Sequence, residues 1–112
     1  MNGQLTVGEN VADLGGLQVA YDALLIALHD EGDPGVIDSF TQQQRFFIAA
    51  ASAWRSLIRP ELATTLVTID PHAPAQLRGT LPLQNMDTFY EAFPIEPGDP
   101  MYLAPEDRII VW

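Results

Sequence analysis

Apolar residues recur at helical spacing early in the chain. At roughly 100° per residue, Leu14, Leu17, Tyr21, Leu24, Leu25 and Leu28 fall on one stripe. Beside it runs an arc of small or acidic residues, Glu9, Asp13, Gly16, Ala20, Ala23 and Ala27, to which a neighbouring helix could pack tightly. The pattern predicts a helix from about Gly8 to His29, preceded by a short connection over Asn2 to Val7. Asp30-Glu31-Gly32-Asp33-Pro34-Gly35 stops it, since Gly32 can cap and Pro34 cannot continue a helix. Thr41-Gln42-Gln43-Gln44 has the form of a capping box and opens a second helix over about Gln42 to Leu57. Its core side carries Phe46, Phe47, Ala50, Ala53, Trp54, Leu57 and Ile58. Pro60 suits a first helical turn, so a third, short helix is expected over Glu61 to about Thr68. Asp70 to Arg78 holds two prolines and reads as extended or turn. Asn85 or Asp87 can cap a fourth helix that ends at Phe93 and turns Met86, Phe89, Tyr90 and Phe93 inward. Pro94 to Pro105 reads as irregular, and Arg108 to Trp112 as an apolar, strand-capable tail. The expected fold is mainly α, about four helices with irregular loops and an extended C-terminal tail.

Composition narrows the function classes. With 112 residues, 47% of them hydrophobic, the chain suits one compact domain. Five arginines, no lysine and a net charge of −10 exclude a nucleic-acid role, which needs a basic surface. The absence of cysteine removes disulfides and thiolate metal sites. No apolar run is read as a membrane span, and no charged-then-apolar signal segment opens the chain.

Two constellations carry candidate chemistry. Glu9 and Asp13 lie four apart on one helical face, where like charges repel by a few tenths of a kcal/mol. A metal site would account for them, Glu9 supplying a carboxylate oxygen and Asp13 orienting a second ligand. The alternative is a solvated first turn in which acids complement the helix dipole. His72 and Arg78 share a proline-stiffened loop and are available to a substrate, or else are an incidental surface histidine and a structural arginine. His29, in the last turn of the first helix, meets the negative end of the dipole and reads as structural. A self-contained hydrolase using Asp70 and His72 lacks an activated nucleophile nearby in sequence.

The run Gly8-Glu9-Asn10-Val11-Ala12-Asp13-Leu14-Gly15-Gly16 resembles the G-E-N-x-A-D-x-G-G signature of the neprilysin family of zinc metallopeptidases. That family includes neprilysin, endothelin-converting enzyme and the bacterial oligopeptidase O group. Gln44-Arg45-Phe46-Phe47 followed by Trp54-Arg55, Asp70-x-His72-x-Pro74-x-x-x-Arg78, Phe89-Tyr90-Glu91-Ala92-Phe93 and Pro97-Gly98-Asp99 extend the likeness over nearly the whole chain. The resemblance implies the C-terminal helical lobe of a thermolysin-like zinc peptidase domain. Glu9 is then the third zinc ligand, and Asp13 holds a zinc-bound histidine in place. His72 stabilises the oxyanion of the tetrahedral intermediate, and Arg78 holds a substrate backbone carbonyl.

Departures are as informative. Where the family reads R-V-N-G-P-L, this chain has Arg78-Gly79-Thr80-Leu81-Pro82-Leu83, so the backbone beside Arg78 is expected to run differently. Ile95 and Ile109 stand near the positions of a cysteine pair in secreted animal members, which suggests a bacterial, disulfide-free relative, cytoplasmic or associated with the cell surface. The sequence contains no H-E-x-x-H, the segment whose histidines bind zinc and whose glutamate is the general base in such enzymes. The expectation is a C-terminal piece of a peptide-hydrolysing zinc metalloendopeptidase, inactive alone and binding zinc weakly or not at all. Its uncovered small-residue arc would favour self-association. The competing class is a non-catalytic helical protein-interaction module that retains the motif residues without using them.

Overall fold

The computed structural model describes residues 1–111, so Trp112, the end of the expected tail, lies outside the described residues. Six helical segments follow in order: α1 Gly3–Glu31, α2 Gln42–Ala53, α3 Pro60–Ile69, α4 Ala75–Arg78, α5 Leu81–Gln84 and α6 Asp87–Ala92. A 3-10 turn covers Pro105–Asp107. The mainly α architecture is the expected one. The single turns α4 and α5 are additional to the four helices expected; Pro74 caps the first from outside, and Pro82, by fixing φ, favours the first turn of the second.

α1 begins five residues earlier than its pattern predicts, at Gly3 rather than Gly8. The Asn2 side chain caps it, its Oδ1 accepting from the N–H groups of Gln4 (3.1 Å) and Leu5 (3.4 Å). Two glycines mask this turn in the sequence, but Thr6 is buried there, 1% exposed, which ties it to the fold. Glu9 and Asp13 therefore stand beyond the first turn, which holds no acid, and the helix-dipole account of them fails.

The capping box of α2 forms as read, with Gln44 N–H donating to Thr41 Oγ1 (3.1 Å) and Thr41 N–H to Gln44 Oε1 (3.0 Å). α2 ends at Ala53, not Leu57. Arg59 is extended, φ −68° and ψ 141°, as a residue before proline must be, so the chain leaves the helix ahead of it. Leu57 and Ile58, assigned to the core side by periodicity, consequently lie in solvent.

Aromatic rings carry the core. Tyr21 of α1 stacks on Phe47 of α2 at 5.2 Å between centroids and meets Phe46 edge-on at 5.3 Å. Phe47 meets Phe89 of α6 edge-on at 5.4 Å, and Phe89 leans on Phe93 at the same separation. Leu14, Leu83 and Met86 are buried with them, and Leu17 and Leu24 pack against the cluster. The apolar stripe of α1 thus faces inward, apart from Leu25, which is exposed.

The tail is fastened by side chains rather than by strand pairing. Tyr90 Oη donates to the Gln84 carbonyl (2.8 Å) and accepts from Leu103 N–H (2.9 Å). The Arg108 guanidinium lies 3.7 Å over the Tyr90 ring and bonds Asp87 Oδ1 at 2.7 Å. Asn85 Oδ1 accepts from Ile109 N–H at 2.8 Å, taking the place of a neighbouring strand.

The small-residue arc of α1 is open within the chain. Ala20, Ala23 and Ala27 are exposed, and a Cβ at Gly16 would meet nothing within 4 Å. Among the described residues no helix packs on this arc, which is uncovered as expected. By length and composition α1 is also apolar enough to cross a membrane, contrary to the sequence reading. One side of it packs within the chain: Tyr21 is buried among aromatic rings, and Asp13, a costly residue in lipid, is paired.

Phe47→Ala removes the ring shared by three aromatic contacts and is expected to lower the unfolding free energy by about 3–5 kcal/mol. Leu57→Ala, at a fully exposed position, should change it by less than about 0.5 kcal/mol. Urea unfolding of both variants distinguishes this core from one extended along the whole aromatic stripe.

Candidate active site

α1 presents Glu9 and Asp13 one turn apart, and the chain from the end of α3 to the end of α4 faces them. α3 ends at Ile69 because Asp70 precedes Pro71 and is extended, φ −79° and ψ 130°. The Asp70 carboxylate then closes a tight turn: its Oδ1 accepts the His72 backbone N–H at 2.9 Å and lies 2.8 Å from His72 Nδ1. One oxygen thereby fixes both the backbone and the ring of His72. These bonds, the backbone one foremost, hold the Asp70 carboxyl below the usual aspartate range, with the charges of His72 and Arg78 helping and burial opposing. On the other side of the ring, His72 Nε2 lies 3.4 Å from Glu9 Oε2. Both side chains are more than 40% exposed, so this contact is screened by solvent and weak.

The second pair is tighter. Arg78 Nε donates to Asp13 Oδ2 and Nη2 to Asp13 Oδ1, each at 2.7 Å, and both side chains are 15% exposed. A planar guanidinium matches a carboxylate in this fork, which a lysine could not reproduce. Asp13's hydrogen bonds raise the Arg78 pKa, and the charges of Asp13, Glu9 and Asp70 add to that effect, against burial. The fork engages two of the five guanidinium N–H donors. The guanidinium carbon lies over the Trp54 ring, 3.9 Å from its centroid.

Arg78 is a wall shared by two clefts. One, of about 330 Å³, is bounded by Trp54, Ile58, Leu66, Val67 and His72. The other, of about 250 Å³, lies toward Val7, Val11, Leu14, Leu81 and Ile109. An apolar cleft with a histidine and an arginine on its rim suits an extended peptide, whose side chains need apolar room and whose carbonyls need donors.

All four residues singled out in the sequence are therefore brought together, in two contacts, Glu9 with His72 and Asp13 with Arg78. His29 is not; it occupies the last turn of α1, roughly 30 Å along the helix from Glu9. The His72 ring contacts two carboxylates and no hydroxyl, so the Asp70–His72 pair has no nucleophile to activate here. As a zinc site the residues present are insufficient: among the described residues no three His, Cys, Asp or Glu side chains are arranged to hold a metal ion, and Glu9 offers a single carboxylate.

The sequence pattern of peptidase family M13 matches residues 1–109. The chain belongs to that family. It is 40% identical over 118 residues to Neprilysin-21 of Caenorhabditis elegans, which covers all of this chain and 15% of that protein. It is likewise 40% identical over 111 residues to the neutral endopeptidase of Lactococcus lactis, covering 99% of this chain and 16% of the relative. Among solved structures it superposes on the Mycobacterium tuberculosis zinc metalloprotease Zmp1 in its open state with a TM-score of 0.93 at 37% identity, covering 98% of this chain and 17% of the other. The same protease with an inhibitor gives a TM-score of 0.89 at 38% identity. The chain thus spans about one-sixth of the length of the M13 proteins it matches.

Sequence reasoning missed two contributors. Trp54 was read as core, yet it is half-buried and lies against Arg78; helical periodicity cannot announce a cation partner 24 residues away. Asp70 was weighed as part of a hydrolase, whereas it holds His72. The signal was available in Asp70-Pro71-His72, since an aspartate readily accepts from the N–H two residues on.

Because the folded-state pKa of Asp70 is depressed, its turn contributes stability above the ordinary aspartate range and loses it as pH falls through that lower folded value. The backbone amide proton of His72 should therefore titrate with a midpoint below the ordinary aspartate value in NMR spectra, and Asp70→Asn should abolish that titration. A midpoint at or above the ordinary value would show that the turn does not form.

Proposed function

We propose that this chain is the C-terminal part of the catalytic domain of a neprilysin-like zinc endopeptidase. The carrying observation is the contact of two acids on α1, one turn apart, with His72 and Arg78, which lie more than 60 residues further along the chain and border one cleft. In this reading Glu9 is the carboxylate ligand of a zinc ion whose histidine ligands lie in H-E-x-x-H, outside this chain. Zinc in such a site activates water and polarises the scissile carbonyl. The chain's own residues bind and orient. Asp70 turns Nε2 of His72 toward Glu9, where a ring N–H can donate to a developing oxyanion, a contact often worth about 3 kcal/mol of barrier. Arg78 keeps N–H donors for a peptide carbonyl while Asp13 holds its guanidinium in place. Asp13 has a second task in this reading, the orientation of a zinc-bound histidine, and Arg78 in turn steadies Asp13 for it.

A second reading, a helical module that docks on a partner or on its own copy, is favoured by one observation. The outward face of α1 carries Val19 and Ile26, each more than half exposed. Light scattering of this chain tests it, with a stable dimer supporting the module and a monodisperse monomer removing self-association.

The peptidase reading expects this chain, mixed with zinc and a fluorogenic peptide, to show no chelator-sensitive turnover; robust turnover would overturn the incomplete-site assignment. In the peptidase that contains this chain, Glu9→Gln should abolish zinc retention. Asp13→Asn should weaken zinc affinity by about 10–100-fold. Unchanged zinc content by metal analysis in both variants would remove α1 from the metal site.

A further inference from the structure

Arg78 is held by two groups, and only one of them is an acid. Asp13 grips the guanidinium edge with two bonds of 2.7 Å. That fork resists rotation within the guanidinium plane but leaves tilt about the fork axis soft. Tilt is opposed by the Trp54 ring, over which the guanidinium carbon sits 3.9 Å from the centroid.

The position of Trp54 is built in. It is the C-terminal cap residue of α2, and its N–H donates to Ala51 and Ser52 carbonyls. Through Phe47 the helix that carries it is anchored in the aromatic core. Gly79 immediately follows Arg78, is buried, and sits on the end of α2. A Cβ there would lie 3.4 Å from both the Ala51 carbonyl oxygen and Trp54 Cβ. A methyl just fits; anything larger separates α4 from α2 and lifts Arg78 off the ring.

We infer that Trp54 is a positioning residue, which acts through Arg78 by fixing the tilt of the guanidinium and so the direction of its free N–H donors, with the close approach at Gly79 setting the stacking distance. The assignment rests on the reading of Arg78 as the holder of a substrate carbonyl. A donor fork that can tilt loses the alignment that carbonyl binding needs, so the loss falls mainly on KM.

The test has two arms. In the peptidase that contains this chain, Trp54→Leu should lower kcat/KM roughly tenfold, mostly through KM, in line with a partly desolvated cation–π contact. Trp54→Phe, which keeps an aromatic face, should stay within about threefold. In an Arg78→Met background, Trp54→Leu should cost less than about twofold, because its route of action is already gone. An equal loss in both backgrounds would show that Trp54 acts on its own and would overturn the inference. Gly79→Leu should reproduce the loss with the indole intact, while Gly79→Ala should not; a harmless Gly79→Leu would overturn the proposed role of Gly79.

The second arm reads the geometry without activity. In NMR spectra of this chain, the Arg78 Nε–H proton should be shielded by the indole face and move downfield in Trp54→Leu. No movement would overturn the stacking. If the resonance moves but Arg78→Met leaves kcat/KM unchanged, the substrate role of Arg78 fails while its placement by Trp54 stands.

Discussion

The ion pair between Arg78 and Asp13 joins the two parts of the chain on which the cleft depends. The segment between α3 and α4 carries His72, and few interactions bind it to α1. The fork is the strong one, with both bonds at 2.7 Å and both side chains 15% exposed. Removing one partner from a buried pair costs roughly 3–5 kcal/mol, because the remaining charge is stranded; partial exposure lessens that here. The Glu9–His72 contact, longer and open to water, follows from this docking rather than causing it. Asp70 completes the arrangement by tying His72 to its own loop, so that the ring arrives opposite Glu9 already oriented.

α1 divides its surface between two environments. Its stripe from Leu14 to Leu24 meets the aromatic cluster, where edge-on and stacked rings supply area and defined geometry together. Its Gly16–Ala27 side meets nothing within the chain. The two acids stand near the junction of these faces, which lets Asp13 be reached by Arg78 and Glu9 by His72.

The sequence announced much of this. The α1 stripe, the capping box of α2 and the inward faces of Phe47, Met86 and Phe89 follow from periodicity and from side-chain hydrogen bonding within three or four residues, which are local rules. Local rules failed where a distant or proline-imposed constraint took over. α1 started early because Asn2 caps it and Thr6 is buried, although Gly3 and Gly8 lower its propensity. α2 stopped at Ala53, ahead of the extended Arg59 that Pro60 requires, leaving Leu57 in water.

For the candidate site the division is similar. Spacing alone put Glu9 and Asp13 on one face, and the signature they sit in pointed to family M13 before any contact was visible. The chain order also placed His72 and Arg78 on one stiff segment. Only the tertiary structure decided which acid meets which base, that Asp70 serves His72, and that Trp54 lies under Arg78. Side-chain pairing across 65 residues depends on how helices dock, and docking is set by the shape of the packed core, which no local pattern encodes.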